Sequence, residues 1–373
     1  MTSAQRTTTL AANIAALKNL PRVLAREGYV DAYAIYGPLN LRVDLWAADL
    51  DLLPASLRVL VSAFLLGRSV ARDELALVFS DQEIDALISL SILLPDGEKL
   101  HTGNMVLLPL LGFLVFAQRP GVNPIAYFGE DSAALALHLM PSRGDVCLDL
   151  CTGPGIQALV CSGRASRVVA VDVNPLAAAH AELNVVMNGL EDRVEIRTGD
   201  LFSAVPDLEF DFISANPPLL PFPPDLPYPF VGHGGADGLD ITRRILKGLP
   251  AALKPGGVCQ IIGTCTGDWD APGCEAELRE LAERTGLRIR MTIPSALPLV
   301  RGAHMFDGLA WTCAAAAHLD VEPVKDALEA HLRTLGATHL YLFFLAISRE
   351  DRRPGLELTR HYEDHAGFWY ISR

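Results

Sequence analysis

Apolar residues recur at helical spacing between Thr8 and Arg26, where Leu10, Ile14, Leu17, Leu20 and Leu24 form one stripe and predict an amphipathic helix. After a linker containing Gly and Pro, the span Pro54–Ala117 predicts three short helices, over Leu57–Leu66, Arg72–Phe79 and Asp81–Leu93. Asp81 is the expected N-cap of the third, whose Ile84, Leu87, Ile88 and Ile92 share an inward face. Pro95-Asp96-Gly97 then turns the chain between two extended segments. From Val146 the pattern changes. Strands are predicted over Val146–Asp149, Arg167–Val171, Arg193–Arg197, Phe210–Ala215 and Val258–Gly263, with helices over Pro175–Met187 and Asp240–Leu253 between them. Further on, Glu275–Thr285 and Glu322–Leu335 read as helices, and Leu287–Ile293 and Leu340–Ile347 as strands. Alternation of this kind predicts an α/β fold with a largely parallel, doubly wound sheet. Ligands bind such sheets beyond the carboxyl ends of the strands, which singles out Asp149, Asp172, Asp200 and Asn216.

Three short helices followed by a hairpin resemble a winged-helix domain, and the chain divides on this reading into residues 1–125 and 126–373. A groove-reading role is disfavoured by charge. Between Pro54 and Gln118 stand seven acidic and four basic residues, and the third helix carries Asp81, Glu83 and Asp85 without a Lys or Arg. Such a face repels phosphate, so the expected role is substrate capping or dimerisation. Pro120–Met140 bridges the two parts. Within it Tyr127 and Phe128 are placed either to close over a bound cofactor or to pin the parts together.

Composition narrows the class. Half the residues are apolar and a fifth charged, which describes a globular protein with a sizeable core, and the net charge is −13. That balance argues against tight non-specific binding of nucleic acid, which depends on Lys and Arg. The seven cysteines are odd in number, lie mostly in apolar strand-like stretches and form no CxxC pair. They read as buried thiols of a reducing cytoplasm, with no metal site expected. Leu107–Ala117, the longest apolar stretch, is broken by Pro109 and Gly112 and is too short to cross a bilayer.

The chemistry gathers around Asp149-Leu150-Cys151-Thr152-Gly153-Pro154-Gly155, a strand end, a glycine turn and the start of a helix. Glycines let the backbone approach a ligand, and a helix N-terminus offers free N–H groups. Gly153 to Ala158 also satisfies the loose G-x-G-x-x-A dinucleotide fingerprint, with Asp172 near the position of a ribose-binding carboxylate. Three neighbours point away from NAD. Asp149 would repel a pyrophosphate and welcome an ammonium, Asp200 offers an acceptor suited to an adenine amino group, and Asn216-Pro217-Pro218-Leu219 follows the fourth strand.

With these motifs in order, Gly129–Gly263 resembles the class I S-adenosylmethionine-dependent methyltransferases of the Asn-Pro-Pro branch, which modify glutamine side chains, nucleobase amines and some small-molecule amines. Gly232-His233-Gly234-Gly235-Ala236-Asp237-Gly238-Leu239-Asp240 is similar to a loop of the glutamine methyltransferases. The resemblance implies a Rossmann-like sheet of seven strands, S-adenosylmethionine as cofactor and S-adenosylhomocysteine as product. It places Asp149 and the backbone of Thr152, Gly153 and Gly155 at the methionine portion, Asp172 and the neighbouring Asn174 at the ribose, and Asp200 with Leu201 at the adenine. Tyr127 and Phe128 would cover the cofactor. Asn216 would accept a hydrogen bond from the target N–H through its side-chain oxygen, and the Pro217 carbonyl a second, with Pro218 and Leu219 completing the turn. Catalysis is then mostly positioning for in-line transfer.

One departure stands out. The position after Asn-Pro-Pro, usually aromatic in this branch, is Leu219, which weakens stacking on a planar substrate. The proline-rich loop Leu220–Phe230 carries Phe222, Tyr228 and Phe230 at the expected substrate mouth, with His233 beyond it. Met305, Phe306 and Trp311 lie in an insertion that either walls the pocket or packs the core. The leading expectation is N-methylation of a small-molecule acceptor. Behind it stand a protein glutamine amide, then small-molecule S- or O-methylation and, last, ribosomal RNA. A silent cofactor-binding scaffold is disfavoured by the intact Asn216. The expected protein is cytoplasmic, free of nucleic acid and membrane, and open to homodimerisation, with Phe368, Trp369 and Tyr370 placed to plug an edge or a pocket.

Overall fold

The computed structural model describes residues 3–35, 47, 49–119, 121, 123–349, 354–361 and 369; Phe368 and Tyr370 lie outside the described residues. Helix α1 (Ser3–Arg26) buries Leu17, Leu20, Val23 and Leu24 and is followed by α2 (Tyr29–Ile35). Then come α3 (Ala55–Leu60), which continues as one π turn over Val61–Leu65, strand β1 (Val70–Ala71), α4 (Arg72–Leu75) and α5 (Asp81–Ser89). The cap of α5 is Ser80, one residue earlier than Asp81. Its hydroxyl accepts from the Glu83 N–H while the Glu83 carboxylate accepts from the Ser80 N–H, a reciprocal box that a lone aspartate cannot make. Asp81 instead pairs with Arg72. Strands β2 (Leu94–Asp96) and β3 (Lys99–His101) complete a small antiparallel sheet in the order β1-β3-β2.

A second hairpin, β4 (Met105–Leu110) and β5 (Phe113–Gln118), uses the apolar stretch that looked too short for a membrane. Helix α6 (Glu130–His138) then leads into the large sheet. Its elements run β6 (Val146–Leu150), α7 (Ile156–Ser162), β7 (Arg167–Asp172), α8 (Pro175–Met187), β8 (Val194–Thr198) and β9 (Phe210–Ala215). They continue with α9 (Asp240–Ala252), β10 (Leu253–Gly267), α10 (Glu275–Thr285) and β11 (Arg288–Pro298), then α11 (His304–Ala317), α12 (Val321–Thr334), β12 (His339–Ser348) and β13 (Gly355–Arg360). The strand order is β13-β11-β12-β10-β9-β6-β7-β8. Strands β6 to β10 run parallel to their neighbours in this set, and β12 runs antiparallel to β10 and β11. Seven of these strands were expected. The eighth, β13, pairs parallel with the outer edge of β11, where Arg288 meets Glu357. Among the described residues no helix is long and apolar enough to cross a membrane.

Helix α11 occupies the insertion that had no assigned structure. Its buried face is Phe306, Leu309, Ala310, Cys313 and Ala314, so Phe306 packs the core while Trp311 faces solvent.

The β4–β5 hairpin is fastened to the large sheet by two side chains. Among the described residues no strand pairs with the other edge of β5. Asn184 of α8 accepts from the Phe116 N–H at 2.8 Å and donates to the Phe116 carbonyl at 2.9 Å. One turn later, Asn188 accepts from the Leu114 N–H at 3.0 Å and donates to the Leu114 carbonyl at 2.7 Å. Residues four apart share a helix face, and residues two apart share a strand edge, so the two periodicities mesh. Asn184 also donates to the Pro154 carbonyl in the glycine turn, at 2.8 Å. Replacing Asn184 by Ala strands three buried backbone groups, and the expected loss is about 3 kcal/mol. Urea midpoints of the two variants should show a smaller loss for Asn188→Ala, whose site is only half-buried.

Candidate active site

The sheet order sets the site. Strands β9, β6, β7 and β8 are adjacent, and their carboxyl ends carry Asn216, the turn after Leu150, Asp172 and Asp200 in one row. Connections leave to opposite faces on either side of β6, which opens a crevice there. Two residues with side chains adopt the left-handed backbone region at this row, Cys151 (φ 58°) and Leu201 (φ 49°), and both line the crevice. Such strain is kept where surrounding contacts enforce it.

Asp149 is buried and its carboxylate turns inward. It accepts from the Thr152 hydroxyl at 2.5 Å and the Ser214 hydroxyl at 2.8 Å, bracing the turn from beneath. It does not line the cavity, and its contacts support the loop. Burial pushes its carboxyl up to about 7. Asp172 does line the cavity, accepting from the Gly153 N–H at 2.8 Å and the Asn174 N–H at 2.9 Å. A carboxylate offers about four acceptor positions, so these bonds leave room for a ligand's hydroxyl. Asn174 caps α8 through the Leu176 N–H at 3.0 Å. Gly155 lines no cavity and takes φ 87° at the start of α7. Asp200 is engaged by Arg244 at 2.6 Å, a partner the sequence reading missed, while Leu201 lines the wall.

Asn216 follows β9 directly. Its Nδ2 donates to Asp131 Oδ2 at 2.8 Å and to the Ser132 hydroxyl at 3.2 Å, whereas its Oδ1 is buried without a partner among the described residues. Asp131 Oδ1 in turn accepts from the Tyr127 hydroxyl at 2.8 Å. The turn after Asn216 is held from outside by the glycine-rich loop. The Thr264 hydroxyl donates to the Leu219 carbonyl, and Gly238 takes φ 92° so close to that carbonyl that a Cβ would lie 2.6 Å from it. A Cβ on Gly234 would lie 2.7 Å from the Leu219 backbone. The similarity of this loop to those of other enzymes therefore has a packing reason. Asp237 is spent on Arg243, which also binds Glu277.

Two cavities meet at Asn216. The first, about 280 Å³, is lined by Thr152, Gly153, Asp172, Asn174, Leu201 and Pro218, with Ile156, Val173 and Ile241 as apolar walls. The second, about 410 Å³, is lined by Phe128, Asp131, Pro217, Leu219 and Tyr228, together with Arg119, Met305 and Trp369. Asn216, Tyr127 and Val231 line both. Phe128 thus belongs to the second cavity and not, as expected, to the cofactor side, and His233 belongs to the first, where its Nδ1 accepts from the Gly235 N–H at 3.2 Å. Phe222 lines neither. It is fully buried with its ring 4.5 Å from that of Tyr228, so it backs the residue that reaches the cavity.

Residues 114–267 match the family described as Methyltransferase small domain. A ribosomal protein uL3 glutamine methyltransferase of Bradyrhizobium diazoefficiens is 36% identical over 148 residues, covering 36% of this chain and 46% of that protein. One of the same name from Bordetella pertussis is 38% identical over 172 residues, covering 43% of this chain and 53% of that protein. A Methanocaldococcus jannaschii protein provisionally named a protein N5-glutamine methyltransferase is 32% identical over 171 residues, covering 44% of this chain and 84% of that protein. The chain belongs to the class I S-adenosylmethionine-dependent methyltransferases of the methyltransferase small-domain family. It spans about half the length of the two ribosomal-protein relatives.

The residues present fit S-adenosylmethionine. The first cavity joins an apolar slot to a strand-end carboxylate with free acceptor positions, and it opens at Asn216 onto a second cavity able to hold a methyl acceptor.

The raised Asp149 carboxyl has a pH signature. The unfolded chain releases this proton near 3.8, the folded protein near 7, so the stabilisation is complete at low pH and is lost as pH rises through 7. Asp149→Asn carries no such cost. Thermal melts of the cofactor-free protein should show the variant gaining on wild type between about pH 4 and pH 7 and holding that gain above it. A constant gap would contradict the assignment.

Proposed function

We propose that the protein transfers the methyl group of S-adenosylmethionine to the side-chain amide nitrogen of a glutamine in a protein of the translation machinery. The observation that carries the reading is the buried, unpartnered Oδ1 of Asn216 where the two cavities join. A buried acceptor left without a donor costs free energy, and an incoming amide N–H supplies the donor. The bound cofactor contributes an electrophilic methyl group. Asn216 accepts one amide N–H through an oxygen that stays neutral, the Pro217 carbonyl accepts the other, and the nitrogen is held facing the methyl donor.

The acceptor follows from two further points. Leu219, buried against the second cavity, gives no ring for a nucleobase to stack on, while a glutamine side chain is narrow and needs none. The relatives are named for glutamine in ribosomal protein uL3, which favours the protein amide over the small molecule expected from the sequence. Residues 1–125 are read as the unit that caps the acceptor side. Arg119, whose guanidinium donates to the carbonyls of Leu65, Leu66 and Met105, lines the second cavity from there.

Purified release factor and ribosomal protein uL3, incubated with methyl-labelled S-adenosylmethionine, should acquire label on glutamine, located by mass spectrometry. Asn216→Ala should lower turnover on the order of 10²–10³-fold. Calorimetry should find its cofactor affinity nearly unchanged. Undiminished turnover would sink the mechanism.

A further inference from the structure

Accepting the reading above, we propose that Asp131, supported by Tyr127, is a positioning residue that decides which end of the Asn216 amide faces the junction of the cavities. An asparagine amide is nearly symmetric in shape, and the roles of its two ends are opposite: one accepts, the other donates. Turned the wrong way, Asn216 would present an NH₂ group to the NH₂ of its acceptor, and the two donors would repel. Something must forbid that orientation. Nothing in the turn itself does so.

Asp131 does. Its side chain is buried, and its Oδ2 sits 2.8 Å from Nδ2 of Asn216. An ionised carboxylate can only accept, so the nitrogen must face it and the oxygen must face away. The Ser132 hydroxyl, 3.2 Å from the same nitrogen, takes the second N–H. The Tyr127 hydroxyl donates to the other oxygen of Asp131 at 2.8 Å, so both carboxyl oxygens are engaged, one by Asn216 and one by Tyr127. Burial raises this carboxyl above its ordinary value, and the hydrogen bonds from Asn216 and Tyr127 limit that rise. The bond to Tyr127 requires its side chain to cross directly over Gly129, where a Cβ would lie 1.9 Å from the hydroxyl oxygen. The sequence Tyr127–Ser132 thus forms a cradle: a ring that folds back, a glycine that makes room, and two side chains that meet Asn216 from the start of α6. Loss of Asp131 leaves Asn216 in place and frees its amide to turn.

The test uses full-length protein. In Asp131→Asn the new amide can face Asn216 with either end, so selection is lost while shape is kept. With selective ¹⁵N-asparagine labelling, the Asn216 side-chain signal is assigned by its absence in Asn216→Ala. Its hydrogen exchange is then measured without cofactor or acceptor. Exchange should be at least about tenfold faster in Asp131→Asn, because protons fixed between a carboxylate and a hydroxyl are released. With release factor as acceptor, kcat should fall about 10- to 100-fold, as for a misplaced reacting group, with KM little changed. Calorimetry should give a cofactor Kd within about twofold of wild type, which separates positioning from general damage.

A second variant guards against misfolding. In the exchange Asp131→Asn with Asn216→Asp, the amide at 131 donates to the carboxylate at 216, whose other oxygen faces the junction as an acceptor. This double variant should be at least about tenfold more active than Asn216→Asp alone, in which two carboxylates oppose each other. Unchanged exchange together with kcat within twofold of wild type in Asp131→Asn would overturn the proposal, as would an exchange variant no better than Asn216→Asp. If neither release factor nor ribosomal protein uL3 accepts a methyl group, or Asn216→Ala retains turnover, the reading of function fails, and the exchange measurement still decides the role of Asp131.

Discussion

A carboxyl group taken out of water gathers hydrogen-bond donors around it, and three such groups set the direction of the polar groups around both cavities. Asp172 draws the N–H groups of Gly153 and Asn174 toward itself and so gives the crevice its floor. Asp149, beneath the same turn, gathers the hydroxyls of Thr152 and Ser214. Asp131 holds the nitrogen of Asn216, whose oxygen is buried without a partner among the described residues. Each of these groups is costly to bury, and each is kept because its partners are donors placed by a turn or a helix start. The rest of the fold holds those turns in position.

The packing around the Asn-Pro-Pro turn shows how little room that leaves. Backbone meets backbone where Gly234 and Gly238 approach Leu219, and side chains are excluded from the contact. At the same place Thr264 of the neighbouring strand β10 closes on the Leu219 carbonyl. The turn is held by both loop and strand, so the position of Asn216 follows from the sheet instead of from the conformation of a free loop.

The doubly wound sheet was legible in the chain because its evidence is local: a strand end, an acidic residue or asparagine, a turn, a helix. Asp172, Thr152, Gly153 and Leu201 lie at the cavity where that order placed them. The errors arose where the answer depends on partners distant in sequence. Asp131 stands 85 positions before Asn216, and nothing in the hexapeptide around it announces the contact. Asp200 looked free because Arg244 approaches from another helix, and Phe222 looked available because burial of one ring beneath another has no sequence signature. Helix α11 escaped notice because its buried face relies on small residues, Ala310, Cys313 and Ala314, whose apolar contrast with their neighbours is weak.

The hairpin clasp by Asn184 and Asn188 has a consequence for the molecule in a crowded solution. A strand with unpaired N–H and carbonyl groups along one side is a template, and a second chain can add to it and propagate. On β5 that side is occupied by two amides that copy the donor and acceptor of a neighbouring strand without extending one. Side-chain amides end the ladder where a strand would continue it. The same helix face that seats the hairpin therefore also keeps an apolar β-edge from recruiting copies of itself.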